Sequence, residues 1–426
     1  MSLARLRSAW ERSDRLFGLL ADEAWLEQPI ALRQPLLFYL GHLPAFAWNH
    51  LGRGLLGEAS FDPAFDTLFE RGIDPVGVDD YAPRAEWPER AAVLAYRDSV
   101  RSTLAGGLSG AAPGPEGESV TAMVVEHELM HHETLLYMLQ ELDHALKRRP
   151  ADWPSLPPAA VAAAPPARAI EVPAGQVWLG VRPGAIPFGW DNEFPRTQVD
   201  VPAFAADERP VTNAEYLDFV SDGGYGNARL WREADWEWRR RRRLEWPHSW
   251  RAPAGASASG ASIRVRTLFE DVPFECAAGW PAAVSWAEAA AYARWRDARL
   301  LSEAEWHRAA EGGCREGGNV AFRHGSPLPV GSLPDGASRH GVLELVGNGW
   351  EWTATPFAPF PGFVPLARYP GYSTDFFDDA HFVLLGGSWA TDEALLRPSF
   401  RNWFQPHYPY VFSKFRCARS LSSLQG

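Results

Sequence analysis

The stretch Gly347-Asn348-Gly349-Trp350-Glu351-Trp352-Thr353 decides how the second half of the chain folds. Two tryptophans so close together favour a segment that buries large rings, because each indole covers much apolar area with few rotatable bonds. The whole chain of 426 residues shares this composition, with 20 Trp beside 23 Phe. From Ala169 onward, short apolar pieces alternate with Gly, Pro and Asp turns, which predicts a loop-rich domain held together by buried rings. One clear helix is predicted inside it, at Ser285–Arg296, where a serine cap is followed three residues later by Glu288.

The first 148 residues carry a different pattern, in which apolar residues recur every three or four positions. This spacing predicts helices with one apolar face, and four such segments joined by loops predict an antiparallel four-helix bundle. The four segments are Leu3–Leu20, Pro35–Leu55, Arg90–Leu104 and Ser119–Leu146. Residues 149–168 are rich in proline and alanine, as is typical of a linker, so that residues 169–426 form a second domain.

Composition and charge favour a soluble globular protein with two domains that does not bind nucleic acid. A chain of 426 residues exceeds what one hydrophobic core usually serves, and 46% hydrophobic with 22% charged residues is ordinary for a soluble globular protein. The net charge of -12 argues against nucleic acid as a partner. The run Arg239–Arg243 is therefore interpreted as a solvated helix face or loop.

The sequence predicts neither a membrane segment nor a disulfide framework. It has no apolar run of about eighteen residues, and its N-terminus reads as a charged amphipathic helix, unlike a signal sequence. Its three cysteines lie far apart without a CxxC pair, which favours a reducing compartment. We therefore expect a cytoplasmic enzyme that acts on small molecules and has no obligate protein partner.

The octapeptide Glu126-His127-Glu128-Leu129-Met130-His131-His132-Glu133 contains the clearest chemical signal. His127 and His131 are four residues apart in a predicted helix, so both rings project from one face and can hold one metal ion. His42 lies among apolar residues on the inward face of another predicted helix, where a lone histidine is more often a core residue. Beside the other two, we predict that it completes a three-histidine site. Such a site suits iron(II), with positions left for oxygen and substrate, although the bundle alone does not choose iron over zinc.

The same octapeptide matches the H-E-x-x-H motif of zinc proteases, in which the glutamate is the general base. The longer form of that motif needs glycine three residues after the second histidine, and Thr134 stands there. Glu128 also lies about 100° from His127 around the helix. A zinc hydrolase is therefore the weaker alternative.

Five motifs of the second half resemble the signature pieces of the formylglycine-generating-enzyme fold, an irregular α+β domain of C-type-lectin type. They are residues 210–216 (PVTNAEY), 299–306 (RLLSEAEW), 347–353 (GNGWEWT), 385–389 (LGGSW) and 415–419 (FRCAR). Copper enzymes of this fold rely on a cysteine pair, for which this chain has no equivalent. Here the domain follows a helical bundle, similar to the DinB proteins, that carries Gly41-His42 and the HxxxH pair. This combination resembles the ergothioneine-pathway sulfoxide synthases over nearly the full length of the chain.

The resemblance implies roles for individual residues. The positions that match the family's three iron ligands are His42, His127 and His131. Tyr369 stands where members that use γ-glutamylcysteine keep a catalytic tyrosine that delivers a proton. Asn402 and Trp403 match family contacts to hercynine, the trimethylated histidine, and a tryptophan face can hold its quaternary ammonium group. Tyr372 is a further candidate contact.

The departures from the family pattern concern the chalcogen donor. Where members that bind γ-glutamylcysteine place an acid and an arginine, this chain has Phe404 and Tyr408. Met130 replaces a glutamine that precedes the second histidine of the HxxxH pair, and Ile73 replaces a substrate arginine of the bundle. A pocket without those charges is poorly suited to a zwitterionic peptide and better suited to a neutral sugar. We therefore predict a selenoneine synthase that uses iron(II), O2, hercynine and a selenosugar, with cysteine, γ-glutamylcysteine or another thiol as the alternative donor.

Overall fold

The chain divides into two compact units, Met1–Trp153 and Pro154–Gly426. The computed structural model describes residues 2–70, 86–109, 114–157, 166–253, 262–313 and 317–421. The boundary between the units falls within the stretch 149–168 that the sequence predicts as a linker. Residues 158–165 of that stretch, and Ile73, lie outside the described residues.

Unit 1 is helical. Its helices are α1 (Ser2–Phe17), α2 (Leu36–Ala47), α3 (Pro63–Leu68), α4 (Arg90–Gly107) and α5 (Gly114–Glu141). Helices α1, α2, α4 and α5 overlap the four predicted segments, which confirms the helical first domain. Every residue of α2 is buried, because this helix packs against both α4 and α5. A helix that is apolar all round needs such neighbours on every side.

Several helix bounds differ from the predicted ones. Helix α2 contains Pro44, which lacks an N–H, and passes at its end into a π-helical turn, Trp48–Arg53. Helix α5 begins at Gly114 and ends at Glu141, so both of its ends lie earlier in the chain than predicted. The sequence reading missed α3, although Asp62 caps its first turn in the usual way.

Unit 2 contains several small sheets. Its strands are β1 (Ala169–Val172), β2 (Gly175–Leu179), β3 (Thr197–Val201), β4 (Phe204–Asp207), β5 (Trp250–Arg251), β6 (Arg264–Arg266), β7 (Asp271–Pro273), β8 (Arg299–Leu300), β9 (Trp350–Pro356), β10 (Phe382–Leu385), β11 (Asn402–Phe404), β12 (Ser413–Lys414) and β13 (Cys417–Ser420). Two four-stranded sheets have the orders β1-β4-β13-β8 and β11-β10-β9-β12. The smaller sheets are β2-β3 and β5-β6-β7. Neighbouring strands run antiparallel, apart from β12 and β9, which run parallel.

Short helices connect these strands. They are α6 (Asn213–Ser221), α7 (Glu233–Arg242), α8 (Phe274–Ala277), α9 (Trp286–Trp295), α10 (Glu303–Ala309) and α11 (Gly371–Thr374). The helix predicted from the Ser285 cap is α9, and Ser285 and Glu288 form the expected reciprocal capping box. The run Arg239–Arg243 ends α7, with Arg240–Arg243 exposed. None of the described helices is long and apolar enough to cross a membrane.

The stretch 347–353 lies in the interior of unit 2. Its Glu351 forms a buried ion pair with Arg416 of the segment that leads into β13. The indole N–H of Trp352 donates to the carbonyl oxygen of Val284 at 2.9 Å. Gly347 has a φ of 76°, and a side chain there would overlap the backbone of Asn319, so glycine is required. Buried rings and a buried ion pair thus hold the second half of the chain together.

Candidate metal centre and substrate site

Three histidines of unit 1 bring one nitrogen each to a common point. His42 comes from α2, and His127 and His131 come from successive turns of α5. The Nε2 atom of His42 lies 3.2 Å from Nε2 of His127 and 3.2 Å from Nε2 of His131. Metal–imidazole bonds of about 2.1 Å that meet at right angles hold their nitrogens about 3 Å apart. The two separations of 3.2 Å are therefore close to those of imidazoles that share one metal ion.

The surroundings fix the orientation of these rings. Nδ1 of His42 lies 2.7 Å from the carbonyl oxygen of Phe69, and donating its N–H there leaves the Nε2 lone pair for a metal. Phe46 stacks on His127, with ring centres 3.6 Å apart and 7° between the planes. Gly41 is required beside His42, because a side chain there would overlap the Phe69 ring.

Burial keeps the three imidazoles in the neutral form that binds metal. It lowers the pKa of His42 to about 4, and the hydrogen bond to Phe69 opposes this shift. Burial also lowers the pKa values of His127 and His131, and neighbouring basic groups lower them further. Nδ1 of His131 is buried without a hydrogen-bond partner in the described part of the chain. A set of neutral imidazoles fits a divalent transition ion, and does not by itself select iron over zinc.

Glu128 faces away from the metal position, toward α1. Its Oε1 accepts a hydrogen bond of 2.5 Å from Oγ of Ser13, which also lies 2.8 Å from Nε2 of His132. All three side chains are buried, and burial raises the pKa of Glu128 to about 7. The general base of a zinc protease must point toward the metal, so this contact argues against the protease alternative.

Under the oxygenase prediction, we expect Glu128→Gln to keep turnover within about threefold of the wild type, because the amide oxygen can still accept the Ser13 hydrogen bond. The protease alternative instead requires complete loss of activity, since the glutamate would be its general base. Steady-state turnover of both proteins, with a peptide-hydrolysis assay of the zinc-loaded chain, separates the two. Peptide hydrolysis that disappears in the variant would favour the protease.

Unit 2 gathers three of the predicted site residues into one aromatic group. Tyr369 lies in the loop before α11, with its ring centre 5.8 Å from that of Tyr372. Tyr372 meets Trp403 of β11 edge-on, with ring centres 5.3 Å apart and 84° between the planes. Phe357 stacks on Trp403 at 4.2 Å and 6°, which holds the indole in one orientation.

The other predicted residues lie outside that aromatic group. Phe404 and Tyr408 stack on each other, with ring centres 5.0 Å apart and 11° between the planes. Strand β11 is an edge strand of its sheet, and it carries Asn402 and Phe404 on either side of Trp403 in the chain. Met130 belongs to unit 1, where it is partly buried on α5.

The sequence reading missed groups that support these residues. Phe46 could have been found, because it lies four residues after His42 and therefore on the same helix face. The Phe69 carbonyl has no side-chain signature. The turn Trp190–Glu193, which contacts both the Tyr369 loop and the segment leading into β11, is mostly polar and reads as an exposed loop.

Comparisons with known proteins agree with this two-part architecture. The model of the sulfatase-modifying factor enzyme 1-like domain matches residues 156–421, and the DinB superfamily model matches residues 5–135. A hercynine oxygenase of Mycobacterium tuberculosis is 40% identical over 367 residues, which cover 79% of this chain and 80% of the relative. The chain belongs to the ergothioneine-pathway sulfoxide synthase family.

Further relatives in the sulfoxide synthase family match over most of this chain. A hercynine oxygenase of Mycolicibacterium thermoresistibile is 34% identical, across 91% of this chain and 87% of the relative. Ergothioneine biosynthesis protein 1 of Neurospora crassa is 31% identical, across 95% of this chain and 56% of that protein. These matches confirm the predicted resemblance and the predicted fold class, a DinB-like helical domain followed by a formylglycine-generating-enzyme-like domain.

Proposed function

We propose that this member of the sulfoxide synthase family is an iron(II)- and O2-dependent enzyme that forms a carbon–chalcogen bond at the imidazole of hercynine. The observation that carries the proposal is the convergence of His42, His127 and His131, whose ligand atoms lie within 4.8 Å of one another. The names of the relatives, hercynine oxygenase and ergothioneine biosynthesis protein 1, support it. Iron(II) is favoured over zinc because it accepts imidazole ligands and also reacts with oxygen.

The proposed reaction joins the imidazole carbon to the donor's chalcogen and removes one hydrogen from each. Iron(II) held by His42, His127 and His131 would supply the activation of O2. With an oxide as the product, one oxygen atom ends on the chalcogen and the other leaves as water with the two hydrogens. The mass of the product reports whether the oxide forms.

Asn402 and Trp403 would bind hercynine. A trimethylammonium group on an indole face gains about 0.5–2 kcal/mol. Phe357 already covers one face of Trp403, so the ring is held in place before the ligand arrives. Oδ1 of Asn402 accepts a hydrogen bond of 2.9 Å from the backbone N–H of Trp403. The side-chain amide N–H groups of Asn402 can then donate to the hercynine carboxylate.

Tyr369 would deliver a proton as the new bond forms. A phenol does this well only when it is aimed and withdrawn from bulk water. Support comes from the half-buried state of Tyr369 and from its short turn. Its N–H donates to the carbonyl oxygen of Leu366 at 2.9 Å, and its own carbonyl accepts from the N–H of Tyr372 at 3.1 Å.

The donor we favour is a selenosugar, which would make the enzyme a selenoneine synthase. Phe404 and Tyr408, which stack on each other, stand where peptide-binding relatives are expected to carry an acid and an arginine, and Met130 is also uncharged. Each charged hydrogen bond that is lost costs a peptide donor about 1.5–3 kcal/mol. Aromatic faces remain well suited to the apolar faces of a sugar. A thiol such as cysteine or γ-glutamylcysteine is the alternative donor, supported by relatives named for ergothioneine biosynthesis.

We expect turnover with a selenosugar to exceed turnover with γ-glutamylcysteine or cysteine by at least about tenfold, the effect of one lost charged hydrogen bond. The test is anaerobic iron loading, then addition of hercynine, O2 and the competing donors, with products read by mass spectrometry. The matched variant Phe404→Asp/Tyr408→Arg restores the two charges and is expected to shift the preference toward γ-glutamylcysteine. If the wild type processes a peptide thiol as efficiently as the selenosugar, the selenosugar proposal is contradicted and a thiol is the donor.

A further inference from the structure

The turn Trp190–Glu193 is buried although three of its four residues are polar. The exposed fractions of its side chains run from 0% to 3%. Burying carboxylates and an amide is costly unless each finds partners. The hydrogen-bond and stacking partners of this turn therefore identify the segments that it positions.

One set of partners lies in the loop that carries Tyr369. Oδ1 of Asp191 accepts a hydrogen bond of 2.5 Å from Oγ of Ser373, and its Oδ2 accepts from the N–H of Leu366 at 3.2 Å. The amide nitrogen of Asn192 donates to the same Ser373 oxygen at 2.9 Å. Asp191 thus fastens the loop on both sides of Tyr369.

An aromatic contact fastens the same loop. Trp190 stacks on Tyr372, with ring centres 3.9 Å apart and 21° between the planes. Tyr372 in turn meets Trp403 at its edge. The turn therefore covers one face of Tyr372. Because Tyr372 also contacts Tyr369 and Trp403, the turn helps to position both of these residues.

A second set of partners lies in the segment that leads into β11. The carbonyl oxygen of Asn192 accepts from Arg401, the residue before Asn402, at 3.3 Å. Glu193 accepts from Nε of Arg397 at 2.7 Å and from Oγ of Ser399 at 2.6 Å. The turn therefore holds the entry to the strand that carries Asn402 and Trp403.

We infer that the turn Trp190–Glu193 is a positioning element, which sets the proton-donating Tyr369 against the strand that binds hercynine. This inference rests on the proposed function, because it assigns the turn to those two groups. The hydrogen bonds of the turn to Ser373 position the loop that carries Tyr369. The hydrogen bonds of Asn192 and Glu193 to residues 397–401 position the strand β11. A misplacement of about 1 Å in such a pair can lower the rate by about a hundredfold.

The test uses full-length, iron-loaded protein with the substitution Ser373→Ala, which removes the hydroxyl shared by Asp191 and Asn192. We expect kcat to fall about 10- to 100-fold while the calorimetric Kd for hercynine stays within about twofold, because the strand keeps its own contacts. The matched control is Thr374→Ala. Thr374 is the exposed next residue, whose hydroxyl donates to the Pro370 carbonyl, and its loss is expected to change neither quantity.

A double-variant cycle separates positioning from a general structural role. If Ser373 acts through Tyr369, Ser373→Ala lowers kcat in the wild type and has no further effect in Tyr369→Phe. Effects that multiply, or a parallel loss of hercynine affinity and thermal stability, would overturn the inference and leave the proposed function standing. Full activity of Tyr369→Phe alone would overturn both the proposed proton donor and the inference that depends on it.

Discussion

Replacing His42 with alanine is expected to abolish turnover and metal retention while unit 1 stays folded. The substitution removes one of the three convergent nitrogens. His127 and His131 of α5 would then be the two histidine ligands left to the ion. Losing even an outer partner of a metal ligand costs about 10- to 100-fold in affinity, so the loss of a ligand exceeds that. Alanine is the best helix former, and α2 keeps its buried apolar contacts. Elemental analysis after anaerobic loading reports the metal, and circular dichroism reports the fold.

The matched control for this experiment is His144→Ala. His144 belongs to the same unit and lies outside the convergent group. This variant is expected to retain one equivalent of metal and full turnover. A His42→Ala protein that also retained one tightly bound equivalent would remove His42 from the site.

Tyr369→Phe is expected to lower the rate of carbon–chalcogen bond formation by about 10²–10⁴-fold, the usual contribution of a positioned proton donor. Phenylalanine keeps the ring and its approach to Tyr372 at 5.8 Å, so the loop should keep its shape. Hercynine affinity should remain unchanged, because the proposed hercynine contacts, Asn402 and Trp403, are untouched. Single-turnover product formation by mass spectrometry, beside calorimetric binding of hercynine, measures both quantities.

The companion variant Tyr372→Phe tests whether the effect belongs to one hydroxyl. Phenylalanine at this position keeps the stack on Trp190 and the edge contact to Trp403. We expect a loss of less than about tenfold, the size of one hydrogen bond. Equal losses from the two substitutions would contradict the assignment of the proton donor to Tyr369.

The geometry within a single helix could be predicted from the sequence. Helical periodicity fixes which residues share a face, so the i, i+4 spacing of His127 and His131 was sufficient to pair them. The same periodicity put Glu128 off that face, and the structure has Glu128 bonded to Ser13 of α1. His42 could be proposed as the third ligand because it lies on an inward helix face.

Contacts between distant segments could not be predicted in this way. Backbone groups carry no side-chain signature, so nothing in the sequence pointed to the Phe69 carbonyl as the partner of His42. Asp191 reads as a loop residue, because local composition cannot reveal a hydrogen-bond partner 182 positions away at Ser373. Unit 2 was recognised from its motifs, whereas the pairing of its short strands depends on tertiary contacts that periodicity does not encode.

The histidine cluster joins two helices that are remote in the chain, since 85 positions separate His42 from His127. A metal held by both helices is a removable cross-link that binds the folded chain and has little affinity for the unfolded one. By mass action it stabilises the fold by about 2.7 kcal/mol when free metal is a hundredfold above its Kd. The metal-free form would then unfold more readily and would be degraded faster by proteases. The supply of metal would therefore control the lifetime of the protein as well as its turnover rate.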